Sequence, residues 1–242
     1  LYINRPEKFN ALNISLLNKI NITLRAISKN DKIRVIILTG IGEKAFAAGA
    51  DILEFSEFKS KEAMELSKNG KEKVFDFIED FSKPVIAAIN GYALGGGLEL
   101  ALSCDIRIAS DNALMGFPET SLGTIPGYGG TYRLAEIVGK GIAKEMILTC
   151  RKISAKEALE IGLISYLTEK NQLLDKATEV ANQIIMNSPN AVNSAIKAIN
   201  YSGGDSKKNW SDIESEHFSK CFDHPDFKKG VNAFLNKQKP NF

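Results

Sequence analysis

The sequence is poor in the features that mark a membrane protein, a metalloprotein or a nucleic-acid binder. Its longest unbroken apolar run, Val85 to Ile89, falls far short of the roughly 18 residues a membrane-spanning helix needs. The start has no basic region followed by an apolar stretch, so it does not read as a secretory signal. Leu1 is not an initiator Met, and Leu1 to Ile3 reads as the tail of a strand, so upstream sequence is expected. The three cysteines, Cys104, Cys150 and Cys221, are odd in number and widely spaced, which fits neither a disulfide framework nor a metal site. Reduced thiols and a cytoplasmic location are expected. The two histidines, His217 and His224, have no cysteine or carboxylate at ligand spacing, so no metal is expected and no triad base is on offer. Charge is nearly balanced, 31 basic against 29 acidic residues. A net charge of +2 gives no field that would favour nucleic acid or an anionic membrane.

What remains is a chain of 242 residues with 44% hydrophobic composition, enough for one sizeable core or a large domain with a small appendage. Val35 to Thr39 and Val85 to Ile89 are short apolar runs ending in Gly40 and Asn90-Gly91, as suits strands buried on both faces; Asp105 to Ala109 is a weaker third. Between them Ile14 to Ile27 and Lys61 to Phe81 carry helical spacing. Strands alternating with helices imply parallel pairing and an α/β core. After about residue 129 the strand signals nearly vanish, and helices are expected to fill the C-terminal hundred residues. Ser154-Ala-Lys-Glu157 reads as a capping box, Pro189 and Pro225 as helix punctuation, and Tyr201 to Asn209 as a flexible joint. No repeat of fixed period is visible.

Three segments carry unusual chemistry. Gly91-Tyr-Ala-Leu-Gly-Gly-Gly-Leu-Glu-Leu100 follows a strand and is expected to open a helix near Gly96. Exposed N–H groups at such a start can hold an oxygen that gains negative charge. The glycines alone fit a close packing turn equally well, and they lack the dinucleotide-binding spacing. Glu99, three residues beyond Gly96, would lie beside that oxygen site; in isolation it would read as a surface glutamate of a first helical turn. Ala45-Phe-Ala-Ala-Gly-Ala-Asp51 is a second small-residue loop, expected to run into a helix at about Asp51. The third, from Phe117-Pro-Glu119 to Gly123-Thr-Ile-Pro-Gly-Tyr-Gly-Gly130, reads as a buried loop lining a cavity, with Glu119 its only carboxylic acid. A carboxyl in apolar surroundings needs a partner or a raised pKa, which suits a general acid; the alternative is a glutamate at a surface turn.

Taken together, Lys44 to Ile52, Lys83 to Leu100, Phe117-Pro-Glu119 and Gly123 to Gly127 resemble the enoyl-CoA hydratases of the crotonase family, in particular the short-chain enoyl-CoA hydratases, also named 3-hydroxybutyryl-CoA dehydratases. The likeness runs from Asn4-Arg-Pro6 and Asn10-Ala-Leu12 through Ile153-Ser-Ala155 to Ala233-Phe234. It implies an α/β fold, a crotonase-like spiral of ββα units with a C-terminal helical region. Residues 1–188 would form the spiral core and 189–242 a helical trimerisation region of a homotrimer or homohexamer. It also implies reversible hydration of a short trans-2-enoyl-CoA to a 3-hydroxyacyl-CoA, in fatty-acid oxidation or butyrate-type metabolism. Coenzyme A is then part of the substrate, and no separate cofactor is implied. By the same resemblance the backbone N–H groups of Ala50 and Gly96 form the oxyanion hole, and Glu99 and Glu119 are the catalytic carboxylates. Asp51, Ile52 and Leu53 continue the acyl-CoA contact. Gly127 lies near the catalytic water, and Phe234 and Lys237 reach the CoA of a neighbouring subunit. The stretch after Asp51, through Glu57 to Glu62, looks longer than in comparable hydratases and borders the acyl tail.

The chemistry asks for these groups. Water attack at C3 of an enoyl thioester drives charge onto the carbonyl oxygen, and each preorganised N–H donor is worth about 3 kcal/mol there. A base takes a proton from water and an acid delivers one to C2, and two close carboxylates push one pKa upward. An isomerase of the same family would commonly lack the carboxylate matching Glu99. A serine hydrolase on a related fold would need a base beside Ser103 or Ser121, and a non-catalytic scaffold would be marked by loss of a glutamate.

Overall fold

The computed structural model describes residues 1–201 and 207–242. Two sheets lie at its centre. The five-stranded sheet has the order β1 (Tyr2–Ile3), β2 (Ile36–Gly40), β4 (Val85–Ile89), β6 (Ile106–Ser110), β9 (Tyr166–Thr168), all parallel. The four-stranded sheet runs β3 (Ala45–Ala47), β5 (Tyr92–Leu94), β7 (Leu114–Gly116), β8 (Lys152–Ser154), with only β8 antiparallel. The chain lays one strand in the large sheet, the next in the small sheet, then a helix, and repeats. So β2 and β3 lead to α2 (Ser60–Gly70) and α3 (Asp76–Glu79), β4 and β5 to α4 (Gly96–Leu102), and β6 and β7 to α5 (Gly130–Thr149). This is the spiral of ββα units that the resemblance implies. Its turns are unequal, 49 residues from Ile36 to Val85 but 21 from Val85 to Ile106, which is why no fixed period shows in the sequence.

The apolar run of β4 is unbroken because both of its faces are covered. Val85, Ala87 and Ile89 belong to the main core with Leu24 and Leu17 of α1 (Ile14–Ser28), whereas Ile86 and Ala88 pack on the opposite side with Leu173, Ala177 and Val180 of α7 (Leu173–Ile185). A strand facing water on one side would have alternated. Asn10 is a polar hub in this core. Only 1% exposed, its side chain accepts from the Arg5 N–H and donates to the carbonyls of Ile41 and Ala45.

Several expectations need correction. The Lys61 to Phe81 segment is not one regular helix: α2 and α3 are joined by a π-helical turn, Lys71–Phe75. No helix begins at Asp51; a single 3-10 turn, Ile52–Glu54, follows it, and the regular helix starts at Ser60. Two strands, β8 and β9, lie beyond residue 129, each three residues long, too short to show alternation. The capping box at Ser154 is half made. Ser154 Oγ accepts from the Glu157 N–H to cap α6 (Ala155–Glu160), but the Glu157 carboxylate turns away to Arg151. Pro189 and Pro225 do open helices, α8 (Pro189–Asn200) and α10 (Pro225–Leu235), on either side of α9 (Lys207–Asp223). The expected joint through Ser202 to Asp205 lies outside the described residues. No helix among the described residues is long and apolar enough to cross a membrane.

Candidate active site

The three loops singled out in the sequence all leave the same edge of the small sheet. Strands β3, β5 and β7 are parallel neighbours, with Ala47 paired to Ala93 and Leu94 to Gly116. Their C-terminal ends therefore lie side by side, and Ala50, Gly96 and Glu119 follow within three residues of each. Ligand sites form at such carboxyl ends in parallel sheets because the chain there breaks from the ladder with its backbone groups unpaired.

The turn between β5 and α4 depends on two glycines. Gly95 sits at φ 49°, ψ −124°, which a residue with a Cβ avoids, and a methyl there would stand 2.4 Å from Glu119 Oε1. At Gly97 a methyl would lie 1.8 Å from the Ala47 carbonyl oxygen, so only glycine lets α4 cross so close to β3. The result is that the first turn of α4 is buried against the loop after β3: a methyl on Gly96 would come within 3.3 Å of the Ala50 nitrogen. Around Ala50 the chain is tied to Leu12, whose N–H donates to the Gly49 carbonyl at 2.8 Å and whose carbonyl accepts from Asp51 at 2.9 Å. The alternation of a parallel bridge then points the Ala50 N–H away from Leu12. Neither that N–H nor the Gly96 N–H donates to any group among the described residues. Two unpaired donors on adjoining turns can hold one oxygen.

Glu99 lies one turn into α4 and is 1% exposed. Its Oε1 accepts two backbone hydrogen bonds, from Tyr128 N–H at 2.7 Å and Gly130 N–H at 2.8 Å. Burial pushes its carboxyl up from the ordinary value, while the N–H donors of Gly130 and Tyr128 and the charge of Arg133 pull the other way. Glu119, in the 3-10 turn Glu119–Leu122, has the opposite surroundings. Its Oε2 is buried with no hydrogen-bond partner. Burial, and next the charge of Glu99, push its carboxyl up to about 7. Glu99 Oε1 is thus held by two donors, whereas Glu119 Oε2 has none and the Glu119 carboxyl, against the pull of its own backbone N–H, stands at about 7, which suits a proton donor.

The whole chain, residues 1–242, matches the family model described as enoyl-CoA hydratase/isomerase. The short-chain-enoyl-CoA hydratase of Clostridium acetobutylicum is 46% identical over 98% of this chain and 90% of its own length. The crotonyl-CoA hydratase of Syntrophomonas wolfei is 43% identical over 100% of this chain and 93% of its own. This chain belongs to the enoyl-CoA hydratase/isomerase family. The crystal structure of an enoyl-CoA hydratase from Bacillus anthracis superposes with a TM-score of 0.92 at 40% identity, covering 100% of this chain and 93% of that one.

Within this family member, the other residues named from the sequence fall into two groups. Asp51 ion-pairs with Arg5 at 3.0 Å, leaving Ile52 and Leu53 exposed on the 3-10 turn at the rim of the site. Gly127 is fixed by the Ser67 hydroxyl, which donates to its carbonyl at 2.6 Å and ties the third loop to α2. That loop is only partly buried, contrary to expectation: Phe117 and Tyr128 are inside, but Leu122 and Ile125 are 59% and 65% exposed. Phe234 is 81% exposed near the end of α10 and Lys237 lies just beyond it. No hydrogen bond or ion pair among the described residues ties either side chain to the glutamate loops. Sequence reasoning passed over Arg133, buried and bonded to the Tyr128 carbonyl. Its only signal was a lone arginine in the first helical turn after Gly129-Gly130.

Proposed function

We propose that this protein is a short-chain enoyl-CoA hydratase, a hydro-lyase of fatty-acid metabolism that adds water across the 2,3 double bond of an acyl-CoA thioester. The relatives' names and the full-length family match support enoyl-CoA hydration. The reading of mechanism rests on one observation: the buried, donor-bound Glu99 and the half-buried Glu119, whose Oε2 has no partner, face the turn that carries the unpaired Ala50 and Gly96 N–H groups.

In this reading the thioester oxygen takes both free N–H groups, which stabilise the charge that develops as water attacks C3. Glu99, kept in place by its backbone donors, holds the water and accepts its proton. Glu119, its carboxyl pushed up to about 7, delivers a proton to C2. Asp51, Ile52 and Leu53 border the acyl-CoA, and Gly127 lies near the water. No cofactor besides the CoA of the substrate is required, and the three unpaired cysteines fit a cytoplasmic protein. Residues 1–188 form the catalytic spiral and 189–242 the helical region that assembles a homotrimer or homohexamer. Phe218, Phe222 and Phe227 support that assembly, since their rings pack edge-on and tilted against one another while remaining 66%, 46% and 38% exposed. In the oligomer Phe234 and Lys237 reach a neighbour's CoA. The direct test is crotonyl-CoA hydration by the purified protein, followed as loss of the enoyl-thioester absorbance; an unchanged spectrum at micromolar protein would overturn the reading.

A further inference from the structure

Arg133, on the first turn of α5, is the largest side chain in the protein that is almost wholly buried, at 2% exposure. Its guanidinium is divided between two elements. Nη1 donates to the Tyr128 carbonyl at 2.9 Å, and Nη2 donates to Asp76 at 2.7 Å and Glu79 at 2.6 Å, both on α3. Tyr128 therefore has Arg133 on its carbonyl and Glu99 on its N–H. Its ring is clamped as well, lying on Gly70 at the end of α2 and stacked on Phe75 of the π-helical turn with centroids 4.6 Å apart. A guanidinium fork can hold a carbonyl and two carboxylates at once, whereas the point charge of a lysine cannot.

The geometry points to Arg133 as a positioning residue for Glu99, setting through the Tyr128 carbonyl where the Tyr128 N–H, and with it the Glu99 carboxylate, stands relative to the Gly95-Gly96 turn. The assignment builds on the hydratase reading above. It adds that α3, outside the site, reaches Glu99 through Arg133. The groups facing this network are Glu119 beside Glu99, and Asp76, Glu79, Asp80 and Tyr132 around the guanidinium. A bystander arginine would move the Glu99 titration through its charge but leave kcat alone, so kcat, and R133K with its charge intact, separate positioning from the field of the charge.

The test measures crotonyl-CoA hydration together with the titration of Glu99, followed by carbon NMR of carboxyl-labelled glutamate and assigned with E99Q. For R133M, kcat is expected to fall about ten- to a hundredfold, the usual effect of a small misplacement, with KM moving less than about threefold. The Glu99 titration is expected to move to higher pH, because a nearby positive charge is gone. R133K keeps the charge but loses the fork, so its titration is expected to stay near that of the wild type while kcat recovers only in part. E79Q alters a side chain 34% exposed, folds whatever R133M does, and is expected to lower kcat severalfold. Wild-type kcat in R133M, or in both R133K and E79Q if R133M does not fold, would overturn the assignment whatever the titration does. A wild-type protein inactive on crotonyl-CoA would overturn the hydratase reading instead, and an unmoved Glu99 carboxyl resonance in R133K, whose charge is intact, would then overturn the role of Arg133.

Discussion

Replacing Glu119 by glutamine is expected to stabilise the protein at high pH while removing its activity. The Glu119 carboxyl is pushed from an ordinary value of 4.5 to about 7 in the folded chain, chiefly by burial. A carboxyl whose pKa rises on folding suits the fold best when protonated: its contribution is complete below about 4.5 and is lost as pH climbs through about 7. That shift corresponds to about 3 kcal/mol for a fully buried group. Glu119 is only partly buried and water screens it, so about 1–2 kcal/mol is the usable figure. Glutamine copies the protonated acid in shape and stays neutral, so the unpartnered Oε2 position costs both forms alike. E119Q is therefore expected to gain about 1–2 kcal/mol at pH 8.5, roughly 3–6 °C in Tm for a chain of this size, and to gain nothing near pH 5. Crotonyl-CoA hydration is expected to fall at least about a hundredfold at every pH. Melting curves from pH 5 to 8.5 alongside the absorbance assay test both halves. A variant less stable than the wild type at pH 8.5, or one with the same gain at both ends, would refute the argument from burial.

E99Q is expected to cut hydration at least about a hundredfold with a much smaller change in CoA affinity, and the double variant with E119Q to be little worse than either alone, since both groups act on one water. If E99Q kept full hydration while E119Q lost it, steady-state kinetics would identify a one-carboxylate, isomerase-like enzyme. Gly96→Pro removes an N–H donor at a helix start where a ring is tolerated, so turnover is expected to drop more than about tenfold in a folded protein, checked by kinetics with circular dichroism. Asn10→Ala breaks three hydrogen bonds, one of them buried, that tie the Arg5 turn to β3, and is expected to cost about 2–4 kcal/mol in urea unfolding. Light scattering at micromolar concentration is expected to give a trimer or hexamer mass; a monomer would remove Lys237 from any neighbour's CoA site.

The strands that build the large sheet were legible because burial on both faces leaves an unbroken apolar run, as in Val85 to Ile89. Helix starts at Ile14, Gly96, Pro189 and Pro225 were legible through spacing, glycine and proline. Strands β8 and β9 were not, because three residues cannot display a period. The π-helical turn between α2 and α3 was hidden too, since its residues Lys71 to Phe75 keep an amphipathic pattern that one extra residue in a turn hardly disturbs.

At the site the order of residues already names the groups available: two glutamates, a glycine turn, a small-residue loop and a turn-rich loop, with their family resemblance. How the two glutamates differ is settled by the folded surroundings. Parallel pairing of β3, β5 and β7 brings residues 50, 96 and 119 to one edge, which no local pattern encodes. Glu99 and Glu119 are the same residue type, yet Oε1 of Glu99 accepts from the backbone N–H groups of Tyr128 and Gly130 while Oε2 of Glu119 is buried with no partner. A carboxyl's proton affinity is set by the water it loses and the donors it gains, and both belong to the folded surroundings rather than to the side chain.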